Sequence, residues 1–249
     1  MTEVNYLESL NPLQYESVCS TEGPNLIIAG AGTGKTKVLT TRVAHIIDNN
    51  LAFPSQILCV TFTNKAAREM SERVQKLVSQ NMEKMPWMGT FHSIGAKIIR
   101  NHAEVIGLKQ SFTILDKDDQ LSLIKQIIKA ENLDQSQFSP KLIQSKIDHW
   151  KNKALNPNDI KSESLDNLVD EKSLSIYKIY QARLFEINCL DFGDLLLQCI
   201  NLFKVTDIHK RYSNNFKYIH VDEYQDTNAA QYKWLKLLGS HHQNVCCVG

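Results

Sequence analysis

Leu26-Ile27-Ile28-Ala29-Gly30-Ala31-Gly32-Thr33-Gly34-Lys35-Thr36 decides how this 249-residue sequence reads. A short apolar run enters a glycine-rich turn, the turn ends in Gly-Lys-Thr, and residues 35–48 continue as a helix. Strand, loop, lysine and helix in that order make a phosphate-binding loop. The usual pattern opens on glycine; here Ala29 holds that place, while Gly34-Lys35-Thr36 is intact. Glycines let the loop curl so that backbone N–H groups point inward at phosphate oxygens, and the helix adds its positive N-terminal end. The expected ligand is ATP with Mg²⁺, cradled by residues 29–34. Lys35 is expected on the β- and γ-phosphates and Thr36 on the metal.

Such a loop needs a carboxylate at the end of a neighbouring strand to orient Mg²⁺, and a base to align the attacking water. Tyr218-Ile219-His220-Val221 is apolar enough to be that strand, and Asp222-Glu223-Tyr224-Gln225-Asp226-Thr227 follows directly. Asp222 is expected at the metal and Glu223 as the base. Taken alone, the same acidic pair would equally suit a helix start.

Working outward, residues 57–62 and 245–248 are short, apolar and rich in β-branched residues, as buried strands are. Residues 64–77 place Ala66, Met70, Val74 and Leu77 on one helical face. Strands alternating with helices predict parallel pairing with helices on both faces. Between them the pattern is mostly helical: Asp116 as a cap, Ser139 as a cap with Pro140 at the first helical position, and helices over 174–188 and 191–203. The expected fold is therefore α/β with a parallel sheet, interrupted by a helical insertion. The α/β lobe is assigned to residues 1–90 and 213–249 and the insertion to 91–212.

Composition narrows the partners. The formal net charge is +1, so no strongly basic footprint marks the whole chain, and any contact with nucleic acid is local. None of the six cysteines forms a CxxC pair, which predicts buried thiols in a reducing compartment. No apolar run approaches the ~18 residues needed to span a bilayer, and the first ten residues carry no basic signal region. A cytoplasmic location away from membranes is expected.

Six ordered motifs together resemble the UvrD/Rep/PcrA family of superfamily 1 DNA helicases, over essentially the whole chain. They are Leu10-Asn11-Pro12-Leu13-Gln14, the Ala29 to Thr36 loop, Val60-Thr61-Phe62-Thr63-Asn64-Lys65-Ala66-Ala67, Gly89-Thr90-Phe91-His92, Leu190-Asp191-Phe192-Gly193-Asp194-Leu195-Leu196 and Val221-Asp222-Glu223-Tyr224-Gln225-Asp226-Thr227-Asn228. The resemblance implies a RecA-like P-loop lobe with a 1B-like accessory insertion. It implies that Gln14 reads adenine, since an amide offers the base both a donor and an acceptor. Phe62, Thr63 and Asn64 then contact single-stranded DNA, with Phe62 either stacking a base or packing in the core. Thr90, Phe91 and His92 form a second DNA segment, and Gln225 couples the γ-phosphate to the DNA groove. Lys37 departs from the family, which commonly has an arginine there lying flat on the adenine; lysine has no planar face. Trp150-Lys151-Asn152-Lys153 reads either as a DNA contact or, preferably, as a helix end with lysines at its negative pole.

The same resemblance implies that Gly249 opens a Gly-Asp-x-x-Gln-Ser motif and that a second lobe with arginine fingers follows it. The expected activity is ATP hydrolysis driving 3'-to-5' movement on single-stranded DNA and unwinding of partially duplex DNA, in repair or replication. Two alternatives stand beside it: a nucleotide-binding module that does not unwind, and part of a recombination helicase–nuclease subunit.

Overall fold

A computed structural model describes residues 6–30, 32–78, 85–161 and 168–249. Along the chain run α1 (Pro12–Cys19), β1 (Asn25–Ile27), α2 (Lys35–Asp48), β2 (Ile57–Thr61), α3 (Asn64–Leu77), β3 (Met88–Thr90) and α4 (Phe91–Asn101). Then come β4 (Thr113–Leu115), α5 (Lys117–Ala130), α6 (Pro140–Asn152), α7 (Leu168–Glu186), β5 (Cys189–Asp191) and α8 (Asp194–Leu202). The chain continues through α9 (Thr206–Asn215), β6 (Tyr218–Val221), α10 (Ala229–Leu238) and β7 (Val245–Val248). It divides into two compact units: Met1–Ile94 with Thr206–Thr227 and Leu235–Gly249, and Gly95–Val205 with Asn228–Trp234.

The first unit is built on a five-stranded sheet in the order β1-β7-β6-β2-β3, every neighbouring pair parallel. All strands therefore end at one edge. The connection from β1 through α2 to β2 passes two intervening strands, β7 and β6. All five residues of β2 and all four of β6 are buried, because helices cover both faces. One core joins Leu39, Val43 and Ile46 of α2 and Met70 and Val74 of α3 to Ile57, Cys59, Tyr218 and Cys246 of the sheet. On α3 it is Ala67, rather than the expected Ala66, that completes the buried stripe. The thiols are all free, and Cys59, Cys189, Cys199 and Cys246 are buried.

The second unit packs α5, α6 and α7 around Ile124, Ile128, Ile143, Ile147, Tyr177 and Tyr180. It differs from the helical expectation in three ways. A second parallel sheet pairs β4 with β5, so residues 191–193 turn out of a strand and α8 begins only at Asp194. Ser139 makes no side-chain capping bond, although Pro140 does open α6; Asp116 does cap α5, accepting from the N–H groups of Asp118 and Asp119. Lys151 is no surface lysine: its ammonium is buried between Asp191 (2.7 Å) and Asp194 (2.9 Å). Tyr180 also donates to Asp191, and a Cβ on Gly193 would lie 2.8 Å from the Lys151 side chain, so that turn requires glycine.

Candidate functional site

The phosphate-binding loop leaves the carboxyl end of β1, and its conformation follows from its glycines. Gly32 and Gly34 lie at φ 77° and 95°, in the left-handed region where a side chain is strained. The Thr33 hydroxyl donates back to the Gly30 carbonyl at 2.7 Å, closing the turn. Ala31 lies outside the described residues. Helix α2 then starts at Lys35 with no side chain capping it, whereas α1, α3 and α5 are capped by Asn11, Thr63 and Asp116. The first N–H groups of α2 are thus left to a ligand, at the end of the helix where its dipole favours an anion.

Strand β6 ends two places along the sheet and delivers the acidic residues. Asp222 is 5% exposed. Burial raises its pKa, the charge of Glu223 adds to this, and the Glu223 N–H and Lys35 oppose it. Glu223 takes a left-handed backbone (φ 50°) that is unusual for a residue with a side chain. That turn brings its carboxylate to 3.7 Å from the Lys35 ammonium. The Gln225 amide donates to the same carboxylate at 2.6 Å. Gln225 also lies against Gly249 at the end of β7, where a Cβ would meet its Oε1 at 3.0 Å. Lys35, Asp222, Glu223 and Gln225 therefore converge at one place on the sheet edge.

Gln14 reaches the loop from α1. Its Oε1 accepts from the Asn11 N–H in a capping box, and its Nε2 donates to the Thr33 carbonyl at 3.1 Å. A cavity of about 350 Å³ opens beside it, bounded by Leu13, Gln14, Ile28, Ala29, Thr33 and Val38. Lys37 is elsewhere: its ammonium is bound to the Ser9 carbonyl at 2.5 Å. Asp222 and Thr36 form a donor set that suits Mg²⁺. One supplies a buried carboxylate, the other a hydroxyl with no hydrogen-bond partner among the described residues.

The residues expected to touch DNA leave the same edge from β2 and β3. Phe62 is half-buried and meets Phe91 edge-to-face at 5.6 Å. Thr63 and Asn64 are exposed, and the Thr63 hydroxyl caps α3. Thr90 and Ser93 cap the start of α4 reciprocally, at 2.9 and 3.1 Å. Phe91 is 1% exposed and does not present its ring; it backs Phe62 instead. His92 is largely buried, which lowers its pKa.

Sequence reasoning missed two residues near the loop. Arg42 of α2 is 1% exposed and donates to the Ser17 and Thr21 carbonyls at 2.6 and 2.9 Å. Its signal was available: an arginine inside the apolar stripe Val38, Leu39, Val43, Ile46. Ser9 contributes only a backbone carbonyl, which no sequence pattern marks.

Comparison with known proteins agrees with this arrangement. The family model described as the UvrD/REP helicase N-terminal domain matches residues 10–249. ATP-dependent DNA helicase PcrA of Staphylococcus aureus is 48% identical over 244 residues, 98% of this chain and 33% of that protein. The probable DNA helicase II homolog of Rickettsia conorii is 46% identical over 252 residues, and DNA helicase II of Rickettsia typhi 47% over 253. Each of these two matches takes in 100% of this chain and 38% of the relative. The chain thus spans about a third of the length of the curated relatives it matches.

Proposed function

Because this chain belongs to the UvrD/REP helicase N-terminal domain family, we propose that it is the ATP-binding part of a 3'-to-5' DNA helicase. On this reading the first unit is the 1A-like lobe and the second the 1B-like accessory subdomain. Binding of ATP·Mg²⁺ and its hydrolysis drive movement on single-stranded DNA and unwinding of duplex ahead of it.

One observation carries the reading: the Lys35 ammonium and the Glu223 carboxylate face each other at 3.7 Å across the uncapped start of α2. With ATP present, the phosphates compete for Lys35. The α2 N–H groups and Lys35 bind the β- and γ-phosphates; Thr36 and Asp222 would hold Mg²⁺, which would supply neutralisation of phosphate charge. Glu223, released from Lys35, accepts the proton of the attacking water. Gln225, bonded to Glu223, keeps that carboxylate aimed. Asp222 stands at the end of β6 and Phe62 just past the end of its neighbour β2, which makes a short path between nucleotide and strand. Phe62 stacks a base while Thr63, Asn64, Thr90 and His92 line the path of the strand.

The test is steady-state ATP hydrolysis with and without single-stranded DNA, in the longer protein and in this chain. Glu223→Gln is expected to keep ATP binding and lose about 10²–10⁴-fold in turnover, the usual worth of a general base. Turnover at the unmodified rate would remove Glu223 from that role. Lys35→Ala is expected to lose ATP affinity, and unchanged affinity would sink the phosphate assignment. A second reading, a nucleotide-binding module without unwinding, applies to this chain by itself. Bound ATP with no DNA-stimulated turnover in this chain would support it.

A further inference from the structure

We propose that Lys37 is a positioning residue for base recognition, fastening α1 to the P-loop helix so that Gln14 is set for adenine; this rests on the nucleotide reading above. The family's arginine at this position is implied to lie on the adenine. Here the Lys37 ammonium is instead bound to the Ser9 carbonyl at 2.5 Å, just ahead of the Asn11 cap of α1.

The bond belongs to a larger clasp. At the other end of α1, Arg42 donates to the Ser17 and Thr21 carbonyls, satisfying acceptors that a helix end leaves open. Both cations come from α2, the helix that follows the phosphate loop. In the middle, Gln14 spends its Oε1 on the Asn11 N–H and one amide hydrogen on the Thr33 carbonyl. A Cβ on Gly34 would lie 3.0 Å from the Gln14 nitrogen, so the amide rests on the last turn of the loop. The second amide hydrogen and the remaining lone pair of Oε1 are then the groups left for a base edge. An adenine offers an acceptor and a donor side by side to such an amide; a guanine offers two acceptors. The pairing discriminates only if the amide is held at a fixed height over the loop. Lys37 and Arg42 hold the two ends of the helix that carries it. Lys37 thus acts through Gln14 and touches neither base nor phosphate.

The test measures equilibrium binding of ATP, GTP and inorganic tripolyphosphate, each with Mg²⁺, to the unmodified chain, Lys37→Met, Gln14→Ala and the double variant. Methionine keeps the length of the stem and removes the donor. Lys37→Met is expected to weaken ATP binding about 3- to 10-fold, the range for the net loss of one ordinary hydrogen bond. It should leave GTP and tripolyphosphate unchanged, so that discrimination between ATP and GTP falls. The double variant should be no weaker than Gln14→Ala, since both remove one coupled device. Lys37→Arg, which retains a donor for Ser9, should restore most of the discrimination. A parallel loss of tripolyphosphate would make Lys37 a phosphate ligand. Additive losses in the double variant would make it an independent base contact. Either result overturns the proposal. If the unmodified chain binds tripolyphosphate but not ATP preferentially over GTP, Gln14 does not read the base and the proposal falls alone. If it binds none of the three, the nucleotide reading falls and takes this one with it.

Discussion

The carboxyl group of Asp222 is almost fully buried, and at rest only the Glu223 N–H and the Lys35 charge oppose the forces that favour its neutral form. Burial and the Glu223 charge both work against ionisation there. A divalent cation reverses that balance, so the residue destabilises the empty site and stabilises the loaded one. Asp222→Asn removes the charge and keeps the shape. The free protein is expected to gain on the order of 1 kcal/mol, the scale seen when a strained functional group is relieved. Thermal unfolding should show a higher midpoint without nucleotide and a smaller rise on adding Mg²⁺ and ATP than the unmodified chain gives. A lower midpoint for the variant would show that Asp222 is a structural acceptor. Residues such as this one were legible in sequence because their chemistry is local. Lys35 and Thr36 open the helix that follows the glycine-rich loop, Asp222 and Glu223 directly follow an apolar strand, and each carries a group with one obvious use. The contact that Lys37 makes is not legible in sequence, because its partner, the Ser9 carbonyl, belongs to the backbone and lies 28 residues away.

At the scale of elements, the apolar strands of the first unit, three-residue β1 among them, and its amphipathic helices are legible in sequence, and three other three-residue strands are not. Met88-Gly89-Thr90, Thr113-Ile114-Leu115 and Cys189-Leu190-Asp191 are too short to show alternation. Each becomes a strand only because its partner is brought alongside, Thr113 pairing with Cys189. The turn after β5 was read as helix for the same reason: what shapes it is Lys151, forty residues earlier. That cluster makes a prediction of its own. Burial and then the Asp191 charge push Asp194 up to about 6, despite Lys151. Burial also works against Asp191, but the Lys151 charge prevails and its pKa is lowered; in the same way Lys151 is raised by its two carboxylates against the effect of burial. A carboxylate raised in the fold binds protons more tightly than in the unfolded chain, so stability falls as pH rises from about 4 through about 6. Moving from pH 7 to pH 5 is therefore expected to raise the denaturant midpoint of the second unit. Asp194→Asn should flatten that dependence. Lys151→Met leaves two buried carboxylates facing each other, and at pH 7 should cost about 3–5 kcal/mol, with part regained at pH 5. An unfolding free energy within about 1 kcal/mol of the unmodified protein's at pH 7, small against that same scale, would mean that the carboxylates find another partner.

For the molecule as a whole, the chain enters and leaves each unit more than once, at residues 94–95, 205–206, 227–228 and 234–235. Each unit nevertheless closes its own apolar cluster, around Leu39, Ile57, Met70 and Cys246 in one and Ile124, Ile143, Tyr177 and Leu184 in the other. Every residue assigned here to nucleotide belongs to the first unit. A ligand that binds only the folded form stabilises it by RT ln(1 + [L]/Kd), about 2.7 kcal/mol at a hundredfold excess over Kd. Amide hydrogen exchange with and without ATP·Mg²⁺ resolves where that free energy appears. Protection is expected to rise in α1, α2, β6 and β7, whose backbone carries or borders the phosphate loop, by up to about a hundredfold where exchange requires opening of that unit. Amides of α5, α6 and α7 should exchange at nearly their former rates, because their protection comes from a core that holds no ligand residue. A Lys35→Ala control should abolish the increase everywhere. Equal protection in both units would show that they open as one cooperative body, so that ligand free energy gained in the first unit is shared by the second.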